Sequence, residues 1–154
     1  MNHITSLKTV RLSDESDAVI ILDQTQLPGK EVYVRLLTPE DVWDAIYKLK
    51  VRGAPAIGIA AAYGIYIGCR RIETDSVIDF HKEFSRIKDY LAGARPTAVN
   101  LVAALNRMER VLITHRQERV VQIKELLRKE SEAIREEDAV ACRRIGENLS
   151  LIHI

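Results

Sequence analysis

At 154 residues, 47% of them hydrophobic, the chain is long enough to bury one core and too apolar to be disordered. Its 23 basic and 22 acidic residues leave a net charge of +1, which gives no electrostatic reason to expect a nucleic acid or an acidic surface as partner. The two cysteines, Cys69 and Cys142, have no metal-type spacing around them and indicate a reducing compartment, not a disulfide framework.

The N-terminus, "MNHITSLKTVRLSDESD", lacks the apolar core of a signal peptide. Three short segments rich in Val, Ile and Leu follow, Lys8–Leu12, Ala18–Gln24 and Glu31–Leu37. The turn material between them, "DESD" and "LPGK", makes a small antiparallel sheet the expected arrangement. Helices come next. "TPEDVWDAIYKLK" opens with Thr38 as N-cap, Pro39 at the first helical position and Asp41 three residues after the cap, and Val42, Ile46 and Leu49 share one face. A second helix is expected from Pro55 to about Arg71. A third runs from about Asp75 to Leu91 on a stripe of Val77, Phe80, Phe84, Ile87 and Leu91. A fourth starts near Pro96 with Leu101, Leu105, Met108 and Leu112 aligned. The last spans about Glu118 to Gly146. Its stripe (Val120, Ile123, Leu127, Ile134, Ala141, Ile145) is thin and its middle, "RKESEAIREED", highly charged, so it needs packing partners at both ends. The fold class is therefore α+β: a three-stranded antiparallel sheet followed by a helical bundle. No segment is apolar for long enough to span a bilayer, so no membrane is expected and the chain reads as cytoplasmic.

Chemistry concentrates in two stretches. In "VRGAPAIGIAAAYGIYIG" (Val51–Gly68), Gly53 permits a backbone that other residues avoid, and Pro55 suits the first turn of a helix. The free N–H groups of that turn, with the positive end of the helix dipole, make an anion site, and Arg52 adds a forked cation. "GARPTAVNL" (Gly93–Leu101) repeats the device with Arg95 before Pro96 at an expected helix start, and Thr97 and Asn100 nearby. Two readings stand on the residues alone. Either both arginines converge on one phosphate, or these are unrelated helix starts with solvated arginines.

"VRGAPAIGIAAAYG" and "ARPTAVNL" resemble the two N-terminal signatures of the methylthioribose-1-phosphate isomerases. These are aldose–ketose isomerases of methionine salvage, in a superfamily shared with the regulatory subunits of a eukaryotic translation-initiation exchange factor. "LDQTQLP" (Leu22–Pro28) is similar to that family's opening strand and turn, and "IGENL" (Ile145–Leu149) to the start of a third signature, Gly-Glu-Asn-Gly. The resemblance covers about Lys8 to Asn148. It implies that Arg52, Gly53, Ala54 and Arg95 contact a sugar phosphate, that no metal or organic cofactor takes part, and that the full-length protein is a homodimer. It also implies a small N-terminal domain, residues 1–148, with a Rossmann-like C-terminal domain that supplies the catalytic cysteine and aspartate. That cysteine sits in a Thr-His-Cys-Asn context, which this sequence lacks. "ITHRQ" (Ile113–Gln117) has no following cysteine.

No catalytic residue is therefore assigned here, and both cysteines are expected to be buried small hydrophobes. His81 and His115 are expected at the surface or at helix ends. "LSLIHI" (Leu149–Ile154) reads as a non-native tail or truncation scar. A chain cut there should expose apolar surface that a further domain covers. The function expected is the phosphate-binding part of an isomerase of 5-methylthioribose 1-phosphate, inactive alone. The alternatives are an isomerase of ribose 1,5-bisphosphate or 5-deoxyribose 1-phosphate, or a non-catalytic regulatory module.

Overall fold

The computed structural model describes residues 9–152; Lys8, assigned above to the first strand, lies outside them. Strands β1 (Val10–Leu12), β2 (Val19–Leu22) and β3 (Tyr33–Leu36) form one antiparallel sheet in the order β1-β2-β3, with Val10 opposite Ile21 and Val19 opposite Leu36. Alternation decides which face is inward. Val10, Leu12, Val19, Ile21 and Leu36 are buried, while Arg11, Ile20 and Arg35 share the outer face. After β2 the chain makes a single 3-10 turn, Gln24–Gln26, capped by the carboxylate of Asp23.

Five helices follow: α1 (Pro39–Tyr47), α2 (Ala54–Arg70), α3 (Val77–Ala92), α4 (Val99–Thr114) and α5 (Val120–Ile152). The architecture is the α+β arrangement expected. Thr38 and Asp41 form the reciprocal capping box that starts α1. Helix α2 is apolar on every side, and every residue from Ile57 to Cys69 is buried, so it forms the axis of the core. Its glycines set how closely neighbours approach. A Cβ at Gly64 would lie 2.8 Å from a Val42 methyl of α1, and one at Gly58 3.0 Å from the Asn100 carbonyl oxygen of α4. The stripes expected on α3 and α4 are buried, apart from the half-buried Val77.

Four expectations are corrected. Helix α1 stops at Tyr47, so Leu49 does not share the buried face of Val42 and Ile46; it lies beyond the helix with φ 61° and is 42% exposed. Helix α4 begins at Val99, not near Pro96, because Arg95 to Ala98 close a turn first. Cys142 is exposed, so only Cys69 is a buried small hydrophobe. Helix α5 runs past Gly146 to Ile152. Its stripe is buried through Leu127 and half-buried at Ile134, but Ala141, Ile145, Leu149 and Leu151 face outward. The exposed apolar surface expected of the last helix is therefore present along its far half. No helix among the described residues is long and apolar enough to cross a membrane.

Candidate functional site

Arg95 lies on the connection from α3 to α4, and Arg52, Gly53 and Ala54 lie where the chain passes from α1 into α2. Helix α1 exits there through a Schellman turn, in which Leu49 N–H donates to Ile46 O at 3.2 Å and Lys50 N–H to Ala45 O at 2.9 Å. The chain then passes through Arg52 and Gly53 into α2. Gly53 is the N-cap, with φ 92° and ψ 135°, a backbone state closed to residues with a Cβ without strain, and Pro55 occupies the first turn. Helix α3 ends at Gly93, and Arg95 to Ala98 make a turn closed by Ala98 N–H donating to Arg95 O at 3.0 Å. Pro96 therefore sits at the second position of that turn, where its fixed φ fits, and not inside the helix.

Both helix starts are uncapped by side chains. The first amide to bond back in α2 is Ile57, to Gly53 O at 3.0 Å; in α4 it is Val102, to Ala98 O at 3.3 Å. That leaves the N–H groups of Ala54 and Ala56 in α2, and of Val99, Asn100 and Leu101 in α4, without a partner in their own helix. The approach of Gly58 to Asn100 holds these two first turns side by side. Two positive dipole ends thus lie together.

Arg52 is exposed, and its Nε donates to the Leu49 carbonyl at 3.2 Å. Arg95 is half-buried. Among the described residues, neither guanidinium forms an ion pair with a carboxylate. Six of the thirteen other arginines do form ion pairs, Arg107 with Glu130 through Nε and with Glu137 through the two terminal nitrogens among them, while Arg70, Arg71, Arg110, Arg116, Arg119 and Arg144 share with Arg52 and Arg95 the absence of a carboxylate partner among the described residues. Gly53, Ala54 and Pro55 are exposed, so the site is an open face. Two concavities lie elsewhere. One of about 530 Å³ is lined by residues of α3 including His81 and Lys82, with Arg116; another of about 310 Å³ lies by Arg110 and His115. Neither includes Arg52, Gly53, Ala54 or Arg95.

The titratable groups nearest the core of α2 are structural. Burial pushes the Cys69 thiol well above its ordinary range, with Lys124 opposing only weakly, so this sulfur is held protonated and is no nucleophile. The same Lys124 donates to the Ile72 and Arg70 carbonyls and closes the C-terminal end of α2. Tyr63, fully buried, donates to Glu132 of α5 at 3.2 Å; burial first, then the charge of Glu132, raises its hydroxyl well above the usual phenol value. Neither anchor was visible in the sequence, because each joins residues more than fifty positions apart. His115 caps the end of α4, as expected of a helix-end histidine. Among the described residues, no three His, Cys, Asp or Glu side chains gather to hold a metal ion.

Sheet and helical bundle have a counterpart among known proteins. The chain belongs to the initiation factor 2 subunit family, whose model matches residues 50–152. Within reach of that family it is 68% identical to a methylthioribose-1-phosphate isomerase of Parabacteroides distasonis over 139 residues, covering 90% of this chain and 42% of that relative. It is 46% identical to a 5-deoxyribose 1-phosphate isomerase of Petrotoga mobilis over 144 residues, covering 93% of this chain and 42% of that relative. The crystal structure of a 5-methylthioribose 1-phosphate isomerase from Pyrococcus horikoshii superposes with a TM-score of 0.79 at 32% identity, over 84% of this chain and 36% of that one. The chain thus spans about two-fifths of the length of the curated relatives it matches.

Proposed function

We propose that this chain supplies the phosphate-binding part of an aldose–ketose isomerase acting on 5-methylthioribose 1-phosphate, with residues 1–148 forming the N-terminal domain. The observation that supports this reading is the pairing of two uncapped helix starts, each preceded by an arginine that has no acidic partner among the described residues. In this reading Arg52 and Arg95 hold the phosphate oxygens from two sides. The N–H groups of Ala54, Val99 and Asn100 complete the cradle, and Gly53 lets the chain enter α2 with its first amide pointing outward. The work of these residues is positioning, since a C1 phosphate locks the sugar as a ring that has to be held while it is opened. The acid and base that open it and move hydrogen from C2 to C1 belong to the longer proteins, so this chain alone should not turn over.

Two observations bear on the alternatives. Similarity to the methylthioribose-1-phosphate isomerase, at 68%, exceeds that to the 5-deoxyribose 1-phosphate isomerase, at 46%, which favours the methylthio sugar. A non-catalytic regulatory role has less need of a complete anion cradle, and both arginines with their helix starts are retained.

The test is a titration of the 154-residue chain with 5-methylthioribose 1-phosphate, followed by backbone amide resonances. The expected shifts fall on Ala54, Ala56, Val99 and Asn100. Arg52→Ala and Arg95→Ala should each weaken binding by about tenfold or more, the scale of one charge-assisted hydrogen bond. Unchanged affinity in both variants removes the phosphate reading. Isomerase turnover by the chain alone would return the chemistry to residues within it.

A further inference from the structure

The stretch "LDQTQLP" matches a family opening but has no role in the cradle. Its contacts give it one. Asp23, 5% exposed, ends β2 with its N–H donating to Val32 O at 2.8 Å, and its carboxylate accepts from Thr25 N–H at 2.9 Å and from the Thr25 hydroxyl at 2.5 Å. This fixes the 3-10 turn so that the N–H of Gln24 points away from it, to the Lys50 carbonyl at 2.9 Å. Lys50 is therefore gripped from both sides: its N–H by Ala45 of α1 and its C=O by Gln24 of the sheet turn. Its neighbour Leu49 is held in the left-handed region at φ 61°, and the Leu49 carbonyl receives Arg52 Nε at 3.2 Å. The path from sheet to guanidinium is continuous: two hydrogen bonds, Gln24 N–H to Lys50 O and Arg52 Nε–H to Leu49 O, joined by the Leu49–Lys50 peptide.

We infer that the Asp23–Gln24–Thr25 turn is a positioning element for Arg52: it braces the loop 49–53 against the sheet and so fixes the carbonyl that orients the guanidinium. The functional meaning of this brace rests on the phosphate reading; the brace itself does not. The loop's other anchors are the end of α1, the buried Val51 side chain and the Gly53 carbonyl bonded by Ile57 of α2; the Gln24 bond is the one that ties it to the sheet turn. A guanidinium on an exposed four-bond stem loses rotamer freedom when it binds an anion, and a pre-set Nε contact lowers that cost before the ligand arrives.

One substitution isolates the link. Gln24 is the first residue of the 3-10 turn, where a missing N–H costs the turn nothing, and Asp23 has the extended backbone (φ −70°, ψ 103°) that a residue before proline adopts. Gln24→Pro therefore deletes the bond to Lys50 and leaves the Asp23 cap in place. Two readouts are taken on the intact chain: the Nε–H resonance and ¹⁵N relaxation of Arg52 without ligand, and the affinity for inorganic phosphate. The expected result is a shifted, more mobile Arg52 Nε–H and phosphate binding weakened about two- to tenfold, with the Arg107 Nε–H, bound to Glu130 on α5, unmoved. A general loss of structure would move both arginines.

If Gln24→Pro fails to fold, Asp23→Ala should reproduce the Arg52 change, and Asp23→Asn, which keeps the accepting oxygen, should restore it. An Arg52 Nε–H that does not respond in any of these variants overturns the brace. A response at Arg52 in a chain that binds no phosphate upholds the brace and removes the phosphate reading instead.

Discussion

The junctions 49–55 and 93–98 draw on the same four residue types and do not fold the same way. Each joins the end of one helix to the start of another, and each carries a glycine, an alanine, an arginine and a proline. In the first, Gly53 at φ 92° swings the chain straight into α2, so Pro55 falls inside the helix. In the second, Gly93 is an ordinary right-handed helix end, and the proline opens a turn that must close before α4 can begin. The order of residues decides this. Arg-Gly-Ala-Pro places the permissive residue before the proline at the helix entrance. Gly-Ala-Arg-Pro places it one residue further from the proline, where no positive φ is needed. A shared composition cue thus yields two helix starts of different construction that present the same chemistry: an arginine and a set of open amides.

The comparison is most severely broken where the two starts touch. Gly58→Val puts a branched side chain against the Asn100 carbonyl, a backbone atom that yields only if α4 moves. We expect a loss of about 2–3 kcal/mol in stability, from the cost of overpacking a close helix contact. Urea unfolding measures it, and amide shifts confined to the two first turns localise it. A neutral result would mean that the helices are not held together at this point.

A smaller effect separates the two glycines. Gly53→Ala meets no atom within 4 Å, so its whole cost is backbone strain at positive φ, about 1–3 kcal/mol. Gly93→Ala, on a right-handed backbone with its nearest contact the Tyr90 carbonyl at 3.3 Å, should stay within about 0.5 kcal/mol of the parent, as the gain in unfolded-state entropy offsets the tight contact. Equal costs at the two positions would contradict the different roles assigned to them.

Much of this fold could be read in advance because its signals are local. The capping box at Thr38, the alternation in β1 and β2, and the stripes of α3 and α4 are each set by residues within a few positions of one another. The candidate site could be proposed from the sequence as two arginines before two prolines. Its misreadings came where a local cue had two solutions: Pro96 suits a turn as well as a helix start, and Leu49 continues the α1 stripe on paper although the backbone has already left the helix. What was illegible is long-range. Nothing near Gln24 announces that its N–H will brace Lys50, and nothing near Tyr63 announces Glu132. Such bonds depend on how whole elements pack, and one sequence read along its length carries no mark of them.

The smallest expected effect tests the paradox of the two helix exits. Helix α1 leaves through a left-handed residue at Leu49, the position where glycine is favoured, whereas α3 has its glycine where the backbone is right-handed. A leucine in the left-handed region carries a strain of about 1–2 kcal/mol, so Leu49→Gly relieves it. Against this stand the extra freedom glycine gives the unfolded chain, about 0.4–1 kcal/mol, and the burial lost from a side chain already 42% exposed. The balance is a stabilisation below about 1 kcal/mol, read as a small rise in the urea midpoint with an unchanged slope. The Leu49 carbonyl remains in place to receive Arg52, so its Nε–H resonance should persist. If Leu49→Gly instead destabilises the chain and frees the Arg52 Nε–H, the leucine side chain holds the loop, and the brace from Gln24 is only part of what sets the guanidinium.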